Sequence, residues 1–189
     1  MKYTKTNIPD VWIIEPVVFR DSRGYFMEVH KQTDFEQHIS MIHFVQENES
    51  CSTKGVLRGL HYQLEPFAQA KLVRVIQGAV LDVAVDIRQG SPTFGQYVAI
   101  ELTSENKYQL FIPKGFAHGF RVLSDEVIFI YKVDNPYNPA SERGIQYNDP
   151  AIGINWNIRK EDAVILSDKD KKLPPLQHAE INFNYSTSQ

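Results

Sequence analysis

The sequence predicts an all-β protein, an antiparallel sandwich or barrel, on three observations. Short apolar stretches separated by turn residues recur between positions 44 and 133, about eight of them after an N-terminal pair. The stretch AVLDVAVDIR, residues 79–88, sets Ala79, Leu81, Val83, Val85 and Ile87 against Val80, Asp82, Ala84, Asp86 and Arg88, the period of two of a half-buried strand. Between these stretches helical periodicity is almost absent.

Taken in order, residues 11–19, VWIIEPVVF, are β-branched and aromatic, and Pro16 within them marks an edge or bent strand. Residues 21–24 turn the chain. GYFMEVH then alternates Tyr25, Met27 and Val29 with Phe26, Glu28 and His30, a strand with a mixed second face. Thr33 and Glu36 form the T-x-x-E capping signature of a short helix over 34–39. Residues 44–49 resume an extended course, and the polar QENES presents Gln46 and Asn48. GVLRGLHYQ, residues 55–63, reads as a buried strand that carries a cation, an imidazole and a phenol. KLVRVIQG follows, with Gly78 as the turn of a hairpin into 79–88, and the loop QGSPTFGQ ends that pair. Strands at 97–102, 108–112, 117–123 and 127–133 complete the series. Beyond Pro136 the chain turns to loops, the apolar IGINW, and the charged EDAVILSDKDKKLPPL, which holds a helical turn. Greek-key connections that avoid exposed edges suit such a series. The fold is therefore read as a jelly roll of the cupin type, a double-stranded β-helix with a few short peripheral helices.

Composition bounds the function. At 189 residues with no repeat or linker, the chain is read as a single domain over 1–189. Its 42% hydrophobic and 23% charged residues are those of an ordinary globular protein. A net charge of -3 and a pI near 6.1 argue against nucleic acid, which requires a clustered basic surface. No apolar run approaches membrane-spanning length. The single cysteine, Cys51, and the polar start MKYTKTNIPD favour the reducing cytoplasm. The glycine-rich stretches contain neither a P-loop nor G-x-G-x-x-G.

Several chemistry-bearing residues fall on these strands. Lys71 opens KLVRVIQG, His118 lies in PKGFAHGF, Tyr131 ends VIFIYK, and Asp170 lies in LSDKD. Alternation puts Tyr131 on the inward face with Val127, Phe129 and Val133, where a phenol needs a partner. Arg58 and His61, three apart, should point to opposite faces unless Gly59 forms a bulge, and a bulge is predicted. Each residue has a plainer alternative. A lone histidine on a strand is more often structural, Lys71 could be a strand-end cation in solvent, Asp170 sits in a charge run, and His118 could serve a turn between Gly115 and Gly119. His30, His38, His43 and His178 are assigned to surface or structure. Tyr62 and Gln63 follow His61, so the H-x-H pair of a metal-dependent cupin is missing and no metal site is expected.

Six motifs bring these residues into one pattern. RGLHYQ, the block KLVRVIQGAVLDVAVDIRQGSPTFGQY, IPKGFAHGF, the YK after an apolar strand, NPASERGI and LSDKD occur in this order, within a match that covers roughly residues 8–176. Together they resemble the dTDP-4-dehydrorhamnose 3,5-epimerase family. The resemblance implies a cupin jelly-roll homodimer without metal or organic cofactor. It implies inversion of C3 and C5 of dTDP-4-dehydro-6-deoxy-D-glucose to give dTDP-4-dehydro-L-rhamnose, for the dTDP-L-rhamnose of lipopolysaccharide or cell-wall polysaccharide. By the same resemblance His61 is the base, Tyr131 the acid, Lys71 the enolate stabiliser, and Asp170 the partner that orients His61. Asp170 is preferred to Asp168 because the family pattern is L-S-x-K-D. Arg23, Phe26, Glu28, Gln46, Asn48, Arg58, Lys71, His118, Glu142 and Lys169 match positions used around the ligand, and Tyr137 matches the stack for thymine. The 23–28 segment reaches the partner's site in this family.

The chemistry explains why such residues are wanted. C3 and C5 both flank the C4 ketone, so one stabilised oxyanion serves both inversions. The carbon acid is on the order of a dozen pKa units weaker than imidazolium, so about 16 kcal/mol of enolate stabilisation makes proton transfer to histidine isoenergetic. A base alone cannot supply this, whereas a fixed cation aimed at the oxyanion can supply much of it. A second group must return a proton from the opposite face. The pair predicts an activity that falls in acid as His61 is protonated and in alkali as Tyr131 ionises. Two rivals are kept: an epimerase of C3 alone or C5 alone, between which the motifs do not decide, and a non-catalytic jelly roll that binds a sugar nucleotide, which would have no reason to hold His61, Lys71 and Tyr131 around one sugar.

Overall fold

Strands with one apolar face bury it by stacking sheet on sheet, and this chain does so with its central strands. The structure, a computed structural model, describes residues 1–186. In chain order the strands are β1 (Lys2–Lys5), β2 (Trp12–Glu15), β3 (Val18–Asp21), β4 (Gly24–Met27), β5 (Gln46–Thr53), β6 (Leu57–Gln63), β7 (Lys71–Gln77), β8 (Ala79–Asp86), β9 (Tyr97–Thr103), β10 (Gln109–Ile112), β11 (Phe116–Val122), β12 (Glu126–Val133) and β13 (Glu142–Gly144). The helix α1 (Gln32–His38) precedes β5; a 3-10 turn at Asp170–Lys172 falls in the charged C-terminal stretch, as expected there, and a second, Leu176–His178, follows at its end.

Six strands form one sheet in the order β1-β2-β10-β7-β12-β5, and five form the facing sheet in the order β13-β6-β11-β8-β9. The pairings are antiparallel. This is the jelly roll of the cupin type. Val73, Val75, Leu110, Ile112, Val127 and Phe129 of the first sheet meet Val80, Ala84, Phe116, Phe120 and Val122 of the second in the inner core. β3 and β4 pair only with each other, as a ribbon beside the sheets.

Four local expectations are corrected. Residues 79–88 are buried on both faces, not half-buried: Leu81, Val83, Val85 and Ile87 pack under Ile145, Ile152, Trp156 and Phe183 of the C-terminal chain, which crosses the outside of this sheet. Gly78 does not close a hairpin, since β7 and β8 belong to different sheets. It carries the chain across with φ +81°, and a Cβ there would lie 2.1 Å from the Glu126 carbonyl oxygen. β2 is an interior strand, paired with β1 and β10, and Pro16 ends it rather than lying on an edge. The helix begins at Gln32 after Lys31, and Thr33 makes no capping bond. What holds it instead is Phe35, buried among Leu72 and Phe111 of the first sheet, with Gln32 Nε2 donating to Glu36 Oε1 and to the Ile42 carbonyl.

Candidate active site

The site begins with a backbone irregularity. On β11, His118 pairs with His61 and Phe120 pairs with Arg58, so β6 spends two residues, Gly59 and Leu60, where β11 spends one. This is the expected bulge. Because His118 and Phe120 are two apart on a regular strand, they share a face, and the extra residue brings Arg58 and His61 to that same inward face. Gly59 is required: its φ is +116°, and an added Cβ would lie 2.7 Å from both the Gly119 Cα and the His118 carbonyl oxygen.

Between the sheets lies a cavity of about 770 Å³. Every predicted site residue lines it except Arg23, Phe26 and Glu28. β6 supplies Arg58 and His61, β11 supplies His118, β5 supplies Gln46 and Asn48, β7 supplies Lys71 and β12 supplies Tyr131. Glu142 comes from β13, Tyr137 from the preceding loop, and Lys169 and Asp170 from the C-terminal stretch. His61 and Tyr131 belong to opposite sheets and so face the same space from opposite walls. Tyr131 shares its face with the buried Val127 and Phe129, as alternation required. Arg23, Phe26 and Glu28 lie on or just after the ribbon, exposed to solvent.

The titratable groups are tuned by their surroundings. His61 Nε2 lies 2.5 Å from Asp170 Oδ1, so Nδ1 is the ring nitrogen left to accept a proton. Asp168 is turned away and pairs with Lys171. Burial alone would raise the Asp170 carboxyl, but the hydrogen bond and charge of His61, with the Ser167 hydroxyl and the nearby Lys169 charge, outweigh it and hold it below the ordinary value. The Lys71 ammonium has no hydrogen bond or ion pair among the described residues. Burial draws its ammonium down to about 8 against the opposing pull of Asp82 and Glu142. Burial raises the Tyr131 phenol. His118 is 7% exposed, and its Nε2 lies 3.0 and 3.1 Å from the two oxygens of fully buried Asp82. Burial lowers the His118 pKa in spite of that carboxylate.

A second network forms the rim. Tyr137 donates its hydroxyl proton to Glu142 Oε2 at 2.6 Å, and Lys169 pairs with Glu142 Oε1. The Tyr137 amide donates to Gln46 Oε1, whose Nε2 donates to Asn48 Oδ1 at 2.8 Å. Burial would raise Glu142, but its bonds from Lys169 and Tyr137 hold it low. The structure adds Asp82, Gln69, Ser50 and Ser167 to this neighbourhood, none of them singled out from sequence. Asp82 carried a signal, a carboxylate within a strand otherwise almost wholly apolar. The polar Gln69, Ser50 and Ser167 carried none. Among the described residues no group of three or more His, Cys, Asp or Glu side chains is placed to hold a metal ion.

Comparisons with known proteins place nearly the whole chain in one family. The family model described as dTDP-4-dehydrorhamnose 3,5-epimerase matches residues 5–178. A dTDP-4-dehydrorhamnose 3,5-epimerase from Shigella flexneri is 58% identical over 171 residues, 90% of this chain and 93% of that protein. A crystal structure of the dTDP-6-deoxy-D-glucose-3,5-epimerase of Legionella pneumophila, in complex with dTDP-4-keto-L-rhamnose, superposes with a TM-score of 0.94 at 46% identity, covering 98% of this chain and 99% of that one. A 3'-monoepimerase from Streptomyces bikiniensis, in complex with dTDP-quinovose, is more distant, at 34% identity and a TM-score of 0.83 over 91% of this chain and 86% of that one.

Proposed function

The chain belongs to the dTDP-4-dehydrorhamnose 3,5-epimerase family, and from that premise we propose how its own residues carry out the reaction. It is an isomerase that inverts C3 and C5 of dTDP-4-dehydro-6-deoxy-D-glucose in the formation of dTDP-L-rhamnose. His61 removes the proton beside the C4 ketone through Nδ1, while Asp170 fixes the ring and offsets the imidazolium charge that forms. Lys71 as an ammonium stabilises the enolate oxygen. Tyr131 returns a proton to the opposite face. The observation that carries this reading is that His61 and Tyr131 approach one cavity from opposite walls, with Lys71, whose ammonium has no partner among the described residues, in the same space. An inversion needs a base and an acid on opposite sides of one carbon.

Around the sugar, His118 offers a neutral imidazole held by Asp82. Arg58 suits the diphosphate, and Tyr137 offers its ring to thymine with Gln46, Asn48, Glu142 and Lys169 around it. The reading needs neither metal nor organic cofactor. It includes a homodimer in which Arg23, Phe26 and Glu28 reach the partner's cavity. Support comes from the ribbon, where Phe19 and Phe26 are 62% and 71% exposed on a two-stranded element too small to hold itself in water. The lone Cys51 supports a cytoplasmic setting.

Proton NMR in deuterium oxide tests the reaction directly. With dTDP-4-dehydro-6-deoxy-D-glucose and a chelator present, deuterium should enter at both C3 and C5, and His61→Ala should abolish it. Exchange at one carbon would mean a mono-epimerase. Binding without any exchange would overturn the catalytic reading.

A further inference from the structure

We propose that Ser52 is a positioning residue that aims the Arg58 guanidinium at the ligand without cancelling its charge. The inference rests on the reading of Arg58 as a diphosphate ligand. Along β5 the period of two puts Gln46, Asn48, Ser50 and Ser52 on one face, and the first three line the cavity. Ser52 comes next, beyond the lining and 6% exposed. Its Oγ accepts from Arg58 Nε at 3.1 Å and from Nη2 at 2.9 Å, and Nη2 also reaches the Cys51 carbonyl at 3.4 Å. One edge of the guanidinium is thereby gripped. Nη1 has no hydrogen-bond partner among the described residues, so its two donors remain for a ligand oxygen.

The choice of a hydroxyl is informative. Among the described residues five other arginines are held by carboxylates: Arg23 by Asp21, Arg88 by Asp86, Arg121 and Arg159 by Asp162, and Arg143 by Glu180. A carboxylate orients an arginine and neutralises it in the same contact. Ser52 orients Arg58 and leaves the full charge for an anion. A long side chain held in place before the ligand arrives also loses less freedom on binding.

The test compares dTDP affinity by calorimetry, kcat, KM and Tm for Ser52→Ala, Ser52→Thr, Ser52→Asp, Arg58→Ala and the double variant Ser52→Ala/Arg58→Ala. Ser52→Ala is expected to weaken dTDP binding and raise KM about fivefold, the worth of one ordinary hydrogen bond, with kcat nearly unchanged and Tm retained. Ser52→Thr should restore affinity. Ser52→Asp should hold the guanidinium yet bind dTDP more weakly than Ser52→Ala. On the Arg58→Ala background, loss of the Ser52 hydroxyl should add nothing. If Arg58→Ala weakens binding while Ser52→Ala does not, or if the Ser52→Ala loss persists without Arg58, positioning is refuted and the diphosphate reading stands. Unchanged dTDP affinity in Arg58→Ala refutes the diphosphate reading itself, and the proposal with it.

Discussion

The cavity and the β3–β4 ribbon carry residues from one sequence pattern, yet they are in opposite physical states. In the cavity, Asp170 has a side chain 4% exposed and already bound to His61, and Tyr137, Glu142 and Lys169 are joined to one another. On the ribbon, Arg23 is 88% exposed and occupied by Asp21, Phe26 is 71% exposed, and neither touches the cavity. One region is assembled by a single chain. The other leaves the Phe19 and Phe26 rings in solvent, and its contacts within the chain are few: the Arg23–Asp21 pair at its tip and Lys107 against Tyr25. Cavity residues should therefore govern chemistry, and ribbon residues should govern binding in a dimer.

The largest effect expected is from His61→Ala, which should lower kcat by about a thousandfold or more, with dTDP affinity retained. Single-turnover kinetics together with calorimetry would separate the two, and a drop in affinity alone would place His61 among the binding groups. Next is Lys71→Met, expected to lower kcat about a hundredfold. The same variant should melt at least as high as the parent. The unfolded chain holds the Lys71 proton up to about 10.5 and the folded chain only up to about 8, so burying this ammonium costs stability at neutral pH, and the cost fades as pH rises above 8. A lower Tm would contradict the burial of the charge.

The pH profile is the third and more graded prediction. The sequence pointed to Tyr131 as the group that ends activity in alkali, but burial raises that phenol above its ordinary value while it brings Lys71 down to about 8. kcat/KM, which reports the free enzyme, should thus fall above about pH 8 as Lys71 loses its proton. A profile level to pH 10 would remove Lys71 from the charged role. The smallest effect belongs to the ribbon. Phe26→Ala should raise KM several-fold with kcat nearly kept, because the ring lies far from the reacting carbons. Mixed dimers of His61→Ala and Phe26→Ala would sharpen the contrast: one cavity in each mixed dimer should combine an intact base with an intact partner ribbon, and its KM should return to the parent value. Loss of kcat in Phe26→Ala itself would erase the distinction between the two regions.

Much of this molecule was readable from local pattern. Short apolar stretches bounded by turn residues located β8 to β12 within a residue or two, because each strand must offer apolar side chains to the opposite sheet whatever the connections are. The bulge could be anticipated because Arg58 and His61, both needed inside, were separated by an odd number of positions with a glycine between them. Local pattern did not show that Gly78 changes sheets, that the C-terminal chain covers the outside of β8, or that Phe35 rather than Thr33 secures the helix. Each of these is settled by a partner far away in sequence.

The site divides in the same way. The order and spacing of its motifs, through the family they resemble, pointed to His61, Lys71, Tyr131 and Asp170, and all four line the cavity. Their electrostatic states were decided by tertiary structure alone. Asp170 contacts His61 across 109 positions while Asp168 turns to Lys171, and Lys71 is pulled towards neutrality by a burial that β7 does not create by itself. Charge interactions depend on distance and on the exclusion of water, and neither exists until the two sheets close around the cavity.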